Sequence, residues 1–443
     1  MDNEARPHHF FHQPEEEKTL LAKREEKIKK LNGNGKNRLV EFLRPWWVGI
    51  GEATCLVILF GLTNWLLLPL MGEADQANFF SAPVIPVLAK LLTPFVSYSY
   101  GVRIWLVIFQ IFLPFSLYLF VREITGRKVM GFLSALIVML PVGIFLPTRL
   151  EMGIYASDGA HMAALTFIPL VSLLLLKFLR NGNLMACLWA AIGTTLVVLI
   201  SPLGFGVLLI FMMVIVFSEM LLGQGRLKLL RLLVVLILTA GFSAFWYNPG
   251  HIMLVLQSEQ GRFMGKTLGN IIPVSLFLVP LLGTLGFLLF EDRAHLQPLF
   301  LAIFLVIVFT LFSFGSELVN PAPGRFIPAL GLSLSYLLAT VFFGIFEILR
   351  ASSLLDRLKI NPKARSIVAN LFMGSIVFII GLLFLLGRSE IMPEYMQVLG
   401  YSTPDSIGIW QMRNQTSGLQ MVSGYVMTFM TLVTVFFFKL KLR

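Results

Sequence analysis

Two carboxylates, Glu73 and Asp75, follow directly after the first long apolar run of the chain. The next segment, residues 83–94, is apolar but too short to cross a membrane, so it fits a helix lying in the membrane interface. A carboxylate beside a region of low dielectric gains basicity and can accept a proton from a hydroxyl group. The pattern predicts a general base that activates one substrate while a lipid-borne substrate lies alongside. A second interpretation, in which both acids only end the helix and face water, stays open.

Cations at the ends of apolar runs suit the same site, because a phosphate-bearing substrate needs positive charge at the membrane boundary. Arg149 and Arg325 are the preferred candidates, since each borders a polar loop that contains a carboxylate. The other candidate binding residues are Arg262, Lys266, Asp158 and His161. For each cation the competing interpretation is an anchor at the membrane interface, which is the commoner role of a single arginine at the end of a span.

Metal and cofactor chemistry has no motif to support it. Both cysteines, Cys55 and Cys187, fall inside apolar runs without a neighbouring ligand. His8, His9 and His12 lie in a polar terminus without an acidic or cysteine ligand at matching spacing. The chain has no phosphate-binding loop, dinucleotide fingerprint, zinc-protease motif or nucleophile elbow. We therefore predict no metal ligands in the sequence, and the use of a divalent cation with a substrate stays open.

The composition defines the class of protein that carries these residues. Of its 443 residues, 57% are hydrophobic and 13% are charged. Soluble domains are about one quarter charged, and disordered chains have far less apolar content. The charged residues cluster in short blocks between long apolar runs. The sequence therefore predicts an all-α, polytopic helical membrane protein.

The apolar runs give the number of spans, since a helix needs about 20 residues to cross about 30 Å of hydrocarbon. Two neighbouring runs are separated only by the turn Ser201–Gly204 and are predicted to form a helical hairpin. We predict about 12 transmembrane helices, with residues 83–94 as an interfacial helix in the first extracytoplasmic loop. The predicted spans are 46–70, 103–121, 129–147, 161–179, 184–200, 203–222, 229–246, 271–290, 298–314, 326–348, 367–386 and 422–438.

Basic residues beside these spans predict the orientation. Of the 35 lysines and arginines, 27 fall on the side that holds both termini and 8 on the other. Because cytoplasmic loops carry the excess of basic residues, we predict a multi-pass plasma-membrane protein with both termini in the cytoplasm. The long loops 71–102, 247–270 and 387–421 are then extracytoplasmic, and the chemistry is expected on that face. The basic charge is dispersed over separate loops, so no nucleic-acid partner is predicted.

The polar N-terminus and the membrane part form two predicted domains, residues 1–44 and 45–443. Residues 19–31 are predicted to form a short charged helix that lies in solvent or on the inner leaflet. A docking site for a cytosolic partner stays open as an alternative.

Three acids fall near the predicted cytoplasmic ends of spans: Glu52, Glu219 and Glu347. We interpret them as structural groups that pair with cations or face the membrane interface.

The arrangement resembles the GT-C superfamily of membrane glycosyltransferases. An acidic loop follows the first span, an interfacial helix comes next, and further long loops lie on the same face. Residues 117–136 are similar to the link between the second and third spans of many bacterial members, as are residues 163–170 followed by 179–182. The resemblance covers most of residues 46–350. It implies an enzyme of the cell envelope that transfers a sugar from a polyprenyl-phosphate donor in the membrane, with Glu73 or Asp75 as the base.

Other classes remain open from the sequence. Twelve spans with both termini inside match the plan of major facilitator transporters, and residues 122–128 are similar to a short loop of that family. Against a transporter, the first outer loop is long, the sixth span is not followed by a long cytoplasmic loop, and the two halves show no evident repetition. A flippase of lipid-linked saccharides and a non-catalytic membrane relative are the further alternatives.

Overall fold

The computed structural model of the protein describes residues 51–62, 82–150, 152, 159–222, 225–257, 262, 296–314, 323–351, 362–386 and 417–441. All regular elements within these ranges are helices, as the all-α prediction requires. The chain divides into two compact units, Met1–Ile58 and Leu59–Arg443. Of the first unit only the start of the first helix is described. The predicted domain boundary after residue 44 lies outside the described residues.

Fourteen α-helices and one 3-10 helix lie in the described part of the chain. They are α1 Gly51–Leu62, α2 Val84–Leu92, α3 Tyr98–Thr125, α4 Lys128–Val138, α5 Leu146–Leu150, α6 Gly159–Asn181, α7 Leu184–Ile200, α8 Pro202–Leu221, α9 Gly225–Ser243, α10 Pro249–Gln257, α11 Gln297–Phe314, the 3-10 helix Pro323–Phe326, α12 Ile327–Ala351, α13 Pro362–Leu386 and α14 Gly418–Lys441.

Seven helical segments in the described ranges are long and apolar enough to cross a membrane. At a rise of 1.5 Å per residue, even an 18-residue helix spans about 27 Å. The membrane class is thus supported by helix length as well as by composition, whereas the number of twelve spans stays a prediction. Predicted span 271–290 lies outside the described residues. The seven segments are Tyr100–Thr125, Gly159–Asn181, Pro202–Leu221, Gln297–Phe314, Gly324–Arg350, Ala364–Leu386 and Gly418–Phe437.

Helix α6 lies at the centre of the second unit, where it packs against α3, α7 and α8. Its side chains are buried along most of its length, including Leu165, Ile168 and Leu175. Helices α13 and α14 lie at the periphery and expose large apolar side chains, such as Phe378 and Phe429. Exposed apolar residues of this kind are expected where a helix faces lipid rather than water.

The predicted helical hairpin is present. Helix α7 ends at Ile200 and α8 begins at Pro202, so Ser201 alone joins them. The Ser201 hydroxyl accepts a hydrogen bond from the backbone N–H of Gly204 at 3.1 Å, which caps α8, and Pro202 occupies the first helical position, where no N–H is needed. Gly204 lies against Ala164 of α6, too close for any larger residue.

The predicted third span, residues 129–147, is interrupted. Helix α4 ends at Val138, and the chain turns before α5 begins at Leu146. Pro141 explains the interruption, because proline lacks an N–H donor and disfavours helical geometry in the residue before it. Gly143 then adopts a left-handed conformation with φ of 57°, which reverses the chain toward α5.

Helix α2 coincides with the segment predicted to lie in the interface. It buries Ile85 and Ala89 and exposes Val87 and Leu91, so one side packs on protein while the other is apolar and uncovered. The Trp105 indole N–H of α3 donates to the Leu88 carbonyl at 2.9 Å and fastens α2 to α3. Its position in the membrane interface remains a prediction.

Candidate functional site

The candidate residues from the sequence fall into two groups in the structure. Arg149, His161 and Arg325 are described, and hydrogen bonds link the elements that carry them, as detailed below. Arg262 is described and exposed. The remaining candidates lie outside the described residues, so their predicted roles stay predictions: Glu73, Asp75, Asp158 and Lys266.

Arg149 lies inside the protein, with 1% of its surface exposed. Its Nη2 donates to the Val138 carbonyl at 2.6 Å, and its Nε donates to the Phe145 carbonyl at 3.4 Å. Val138 is the last residue of α4, so its carbonyl has no partner within that helix. The guanidinium therefore satisfies the carbonyl that the interruption sets free, and its charge opposes the negative end of the α4 dipole.

Gln110 connects Arg149 to the neighbouring helices. Its side-chain carbonyl accepts a hydrogen bond from Arg149 Nη1 at 3.1 Å, and its amide donates to the Met162 carbonyl at 3.2 Å. One amide thus joins α3, α5 and α6. Gln110 is not among the residues predicted from the sequence, although a single glutamine within a long apolar run carries a signal, because a polar group at that depth needs a partner.

His161 precedes Met162 in the first turn of α6 and is fully buried. Its Nε2 lies 3.0 Å from the backbone carbonyl of Arg325. A carbonyl can only accept, so Nε2 carries the proton in this contact. Arg325 itself lies in the 3-10 helix and is partly exposed. The next residue, Phe326, stacks on Phe312 with ring centroids 5.3 Å apart, which holds the 3-10 helix against α11.

We call Gln110, Arg149, His161 and Arg325 the outer polar cluster, a name that follows the topology predicted from the sequence. Among the residues that the structure describes, the hydrogen-bond acceptors around Arg149 are all neutral. Burial lowers the pKa of the Arg149 guanidinium to about 9, which still leaves it protonated at neutral pH. Arg149 therefore places positive charge in the protein interior, and its acceptors among the described residues are neutral.

A second buried cluster lies at the other end of α6. The Glu219 carboxylate accepts hydrogen bonds from Arg180 Nε at 3.0 Å, Arg180 Nη2 at 2.8 Å and Gln297 Nε2 at 2.7 Å. Lys228 Nζ lies 3.3 Å from the same carboxylate and also donates to the Glu219 backbone carbonyl. We call Arg180, Glu219, Lys228 and Gln297 the inner ion cluster. It joins α6, α8, α9 and α11.

The predicted pairing of the acids is confirmed for two of the three. Glu219 is 2% exposed and pairs with Arg180 and Lys228, and Glu347 pairs with Arg127 at 3.0 Å.

The two clusters mark two levels along the bundle. Met162, at the level of the outer polar cluster, and Arg180, in the inner ion cluster, are eighteen residues apart on α6. This separation corresponds to about 27 Å of helix. The hydrocarbon core of a bilayer is about 30 Å thick, so the spacing matches polar groups placed near its two boundaries.

Within the described ranges, His, Cys, Asp and Glu side chains form no group of three that could hold a metal ion. Comparison with known proteins finds no matching family model and no matching curated protein.

Proposed function

We propose that this protein is a membrane-embedded transferase that moves a sugar from a polyprenyl-phosphate donor to a hydroxyl acceptor. In this proposal both termini lie in the cytoplasm and the reaction takes place at the extracytoplasmic face of the plasma membrane. The basic residues that favour one face of the predicted topology support the orientation, and the resemblance to GT-C enzymes supports the reaction class.

The observation that carries the proposal is the outer polar cluster. A polyprenyl-phosphate donor is anionic and lies in the membrane, so its phosphate needs positive charge at headgroup depth. Arg325 is partly exposed and is the candidate for direct contact with the phosphate, whereas Arg149 contributes its charge from the interior. The contact between His161 and the Arg325 carbonyl positions the segment that carries Arg325. Arg262 and Lys266 are further candidate cations on the same predicted face.

The proposed reaction needs a base beside these cations. An acid of the first loop takes the proton from the acceptor hydroxyl, whose oxygen then forms a bond to the anomeric carbon of the sugar. The bond between that carbon and the donor phosphate breaks, and the polyprenyl phosphate leaves with the electron pair. Asp75 is preferred over Glu73 as the base because it lies further from the end of the span. The cations stabilise the charge that develops on the leaving phosphate.

The test is transfer of labelled sugar from a polyprenyl-phosphate donor by the purified full chain. Asp75→Asn and Glu73→Gln keep the side-chain shape but remove basicity, and general-base catalysis contributes about a hundredfold to ten-thousandfold. We expect the variant at the true base to lose turnover by such a factor with donor binding unchanged. Glu123→Gln is the matched control, since Glu123 lies on the opposite predicted face. Transfer by the double variant at the wild-type rate would exclude the first-loop acids as the base.

A transporter of lipid-linked saccharides is the second candidate function. The observation that favours it is the interruption of α4, because transporter sites are often built at the ends of broken membrane helices. In liposomes, movement of a labelled lipid-linked saccharide between leaflets without transfer to any acceptor would support this candidate over the enzyme.

A further inference from the structure

A groove of about 440 Å³ opens on the second unit beside α12, between α4 and α13. Apolar side chains line it: Val129 of α4, Phe343 and Phe346 of α12, and Met373 and Val377 of α13. Its volume lies within the range of small-molecule sites. Its lining on α13 runs from Asn370 to Val377, which corresponds to about 10 Å of helix. We call it the α12 groove.

A polar residue interrupts the apolar wall. Asn370 of α13 lines the groove and is exposed, and it has no hydrogen-bond partner within the described part of the chain. It lies eight residues into α13, a helix apolar enough to cross a membrane. An amide at such depth costs free energy unless a partner satisfies it. The groove thus presents an unsatisfied donor and acceptor to whatever occupies it.

Positive charge surrounds the end of the groove where α4 begins and α12 ends. The Arg127 guanidinium lies 5.8 Å from the ring centroid of Phe343, a lining residue, and pairs with Glu347 at 3.0 Å. Arg350 is exposed at the same end. Arg350 follows Phe346 by four residues and so lies on the same face of α12. Among the described residues, Arg127, Arg350 and Glu347 together carry a net charge of one positive unit at this end.

We propose that the α12 groove binds an anionic phospholipid. An acyl chain occupies the apolar wall, Asn370 bonds to an ester oxygen of the glycerol region, and the phosphate lies at the basic end beside Arg127. Basic pockets between transmembrane helices on the cytoplasmic side are known to hold anionic headgroups, and this end of the groove is cytoplasmic in the predicted topology. The proposal depends on membrane insertion and not on the proposed transferase activity.

Charge complementarity and shape together select this occupant. A soluble anion would leave the apolar wall uncovered, and a zwitterionic lipid would gain nothing from the net positive charge at the mouth. Each cation near a membrane surface is worth about fivefold in affinity for anionic lipid, so one net charge predicts about a fivefold preference over a zwitterionic lipid with the same chains.

Two glycines of α13 provide a matched test. A Cβ atom added at Gly374, which lines the groove, meets no atom within 4 Å, so Gly374→Leu places an apolar side chain in the groove. Gly381, on the same helix but away from the groove, is equally open, so Gly381→Leu is the control. Both changes favour the helix, because leucine has a higher helix propensity than glycine.

The measurement is native mass spectrometry of the purified full chain, titrated with phosphatidylglycerol or phosphatidylcholine of identical acyl chains. We expect the first phosphatidylglycerol to bind about fivefold more tightly than phosphatidylcholine. Gly374→Leu should weaken phosphatidylglycerol binding at least tenfold, with Gly381→Leu unchanged. Equal affinity for the two lipids, or equal effects of the two glycine variants, would overturn the proposal.

A charge variant tests the headgroup contact independently. Arg127→Gln should weaken phosphatidylglycerol binding about fivefold and leave phosphatidylcholine binding unchanged. The control is Lys177→Gln, because Lys177 forms a comparable exposed ion pair with Glu123 on the same predicted face but does not line the groove. A loss of the same size in both variants would mean that the chain attracts anionic lipid without a defined site.

Discussion

Replacing Glu219 by glutamine tests whether the inner ion cluster holds the helix bundle together. The change keeps the size of the side chain and one carbonyl oxygen, but it removes the negative charge between Arg180 and Lys228. The side chain of Glu219 is 2% exposed, that of Lys228 10% and that of Arg180 20%. The new amide also points donor hydrogens at a cation, because glutamine has two N–H bonds where the carboxylate had an acceptor.

The size of the effect follows from this burial. Removing one partner of a buried ion pair costs about 3–5 kcal/mol, because the remaining charge stays buried without compensation. Arg180 retains some access to solvent, so we expect the lower end, a loss of about 3 kcal/mol in the free energy of unfolding. That loss corresponds to more than a hundredfold in the ratio of folded to unfolded protein.

The assay is equilibrium unfolding of the purified chain in mixed detergent micelles, followed by tryptophan fluorescence. Glu123→Gln is the control: its ion pair with Lys177 has an N–O distance of 3.6 Å and both side chains are 44% exposed, so its loss should cost less than about 1 kcal/mol. The double variant with Arg180→Gln should lose less than the sum of the single losses, because the two residues interact directly. If Glu219→Gln and Glu123→Gln lose the same free energy, the cluster does not stabilise the bundle.

Two other predictions concern topology and packing. In a background without the native cysteines, a cysteine at position Ser402 should react with a membrane-impermeant reagent in intact cells, and one at Ser353 should not; the reverse pattern would invert the proposed orientation. Gly331→Ala should cost about 1–3 kcal/mol in the free energy of unfolding, because the added carbon would collide with the Ile144 carbonyl. Gly344→Ala on the same helix meets nothing within 4 Å and should be neutral or stabilising, so equal losses in unfolding measurements would contradict this packing.

Features that depend only on neighbouring residues could be predicted from the sequence. Apolar content is a sum over neighbouring residues, so the helical membrane class and most described span positions follow from it directly. The hairpin at Ser201 was equally local, because the serine cap and the following proline lie within four residues of the turn. That Glu219 has a partner could be predicted, since a buried carboxylate requires one, but the sequence could not show which residues those partners are.

Some residues of the candidate site could likewise be predicted from the sequence, and others could not. The choice of Arg149, His161 and Arg325 rested on their positions at the ends of apolar runs, and the structure connects the segments that carry them. The choice of the first-loop acids remains a prediction from sequence. Gln110 was not predicted; a lone glutamine in an apolar run indicates a buried partner, but only the structure shows that the partners are Arg149 and the Met162 carbonyl.

The tertiary structure alone decided which distant groups meet. Pro141 signals a weak point in the third span, but only the packed structure shows that the helix stops at Val138 and that Arg149 satisfies its carbonyl. The inner ion cluster likewise combines side chains from four helices, with Arg180 and Gln297 separated by 117 positions. Such partners are selected by the crossing of helices and by the cost of leaving a buried polar group unsatisfied. Both depend on distance in space, which the order of residues along the chain does not contain.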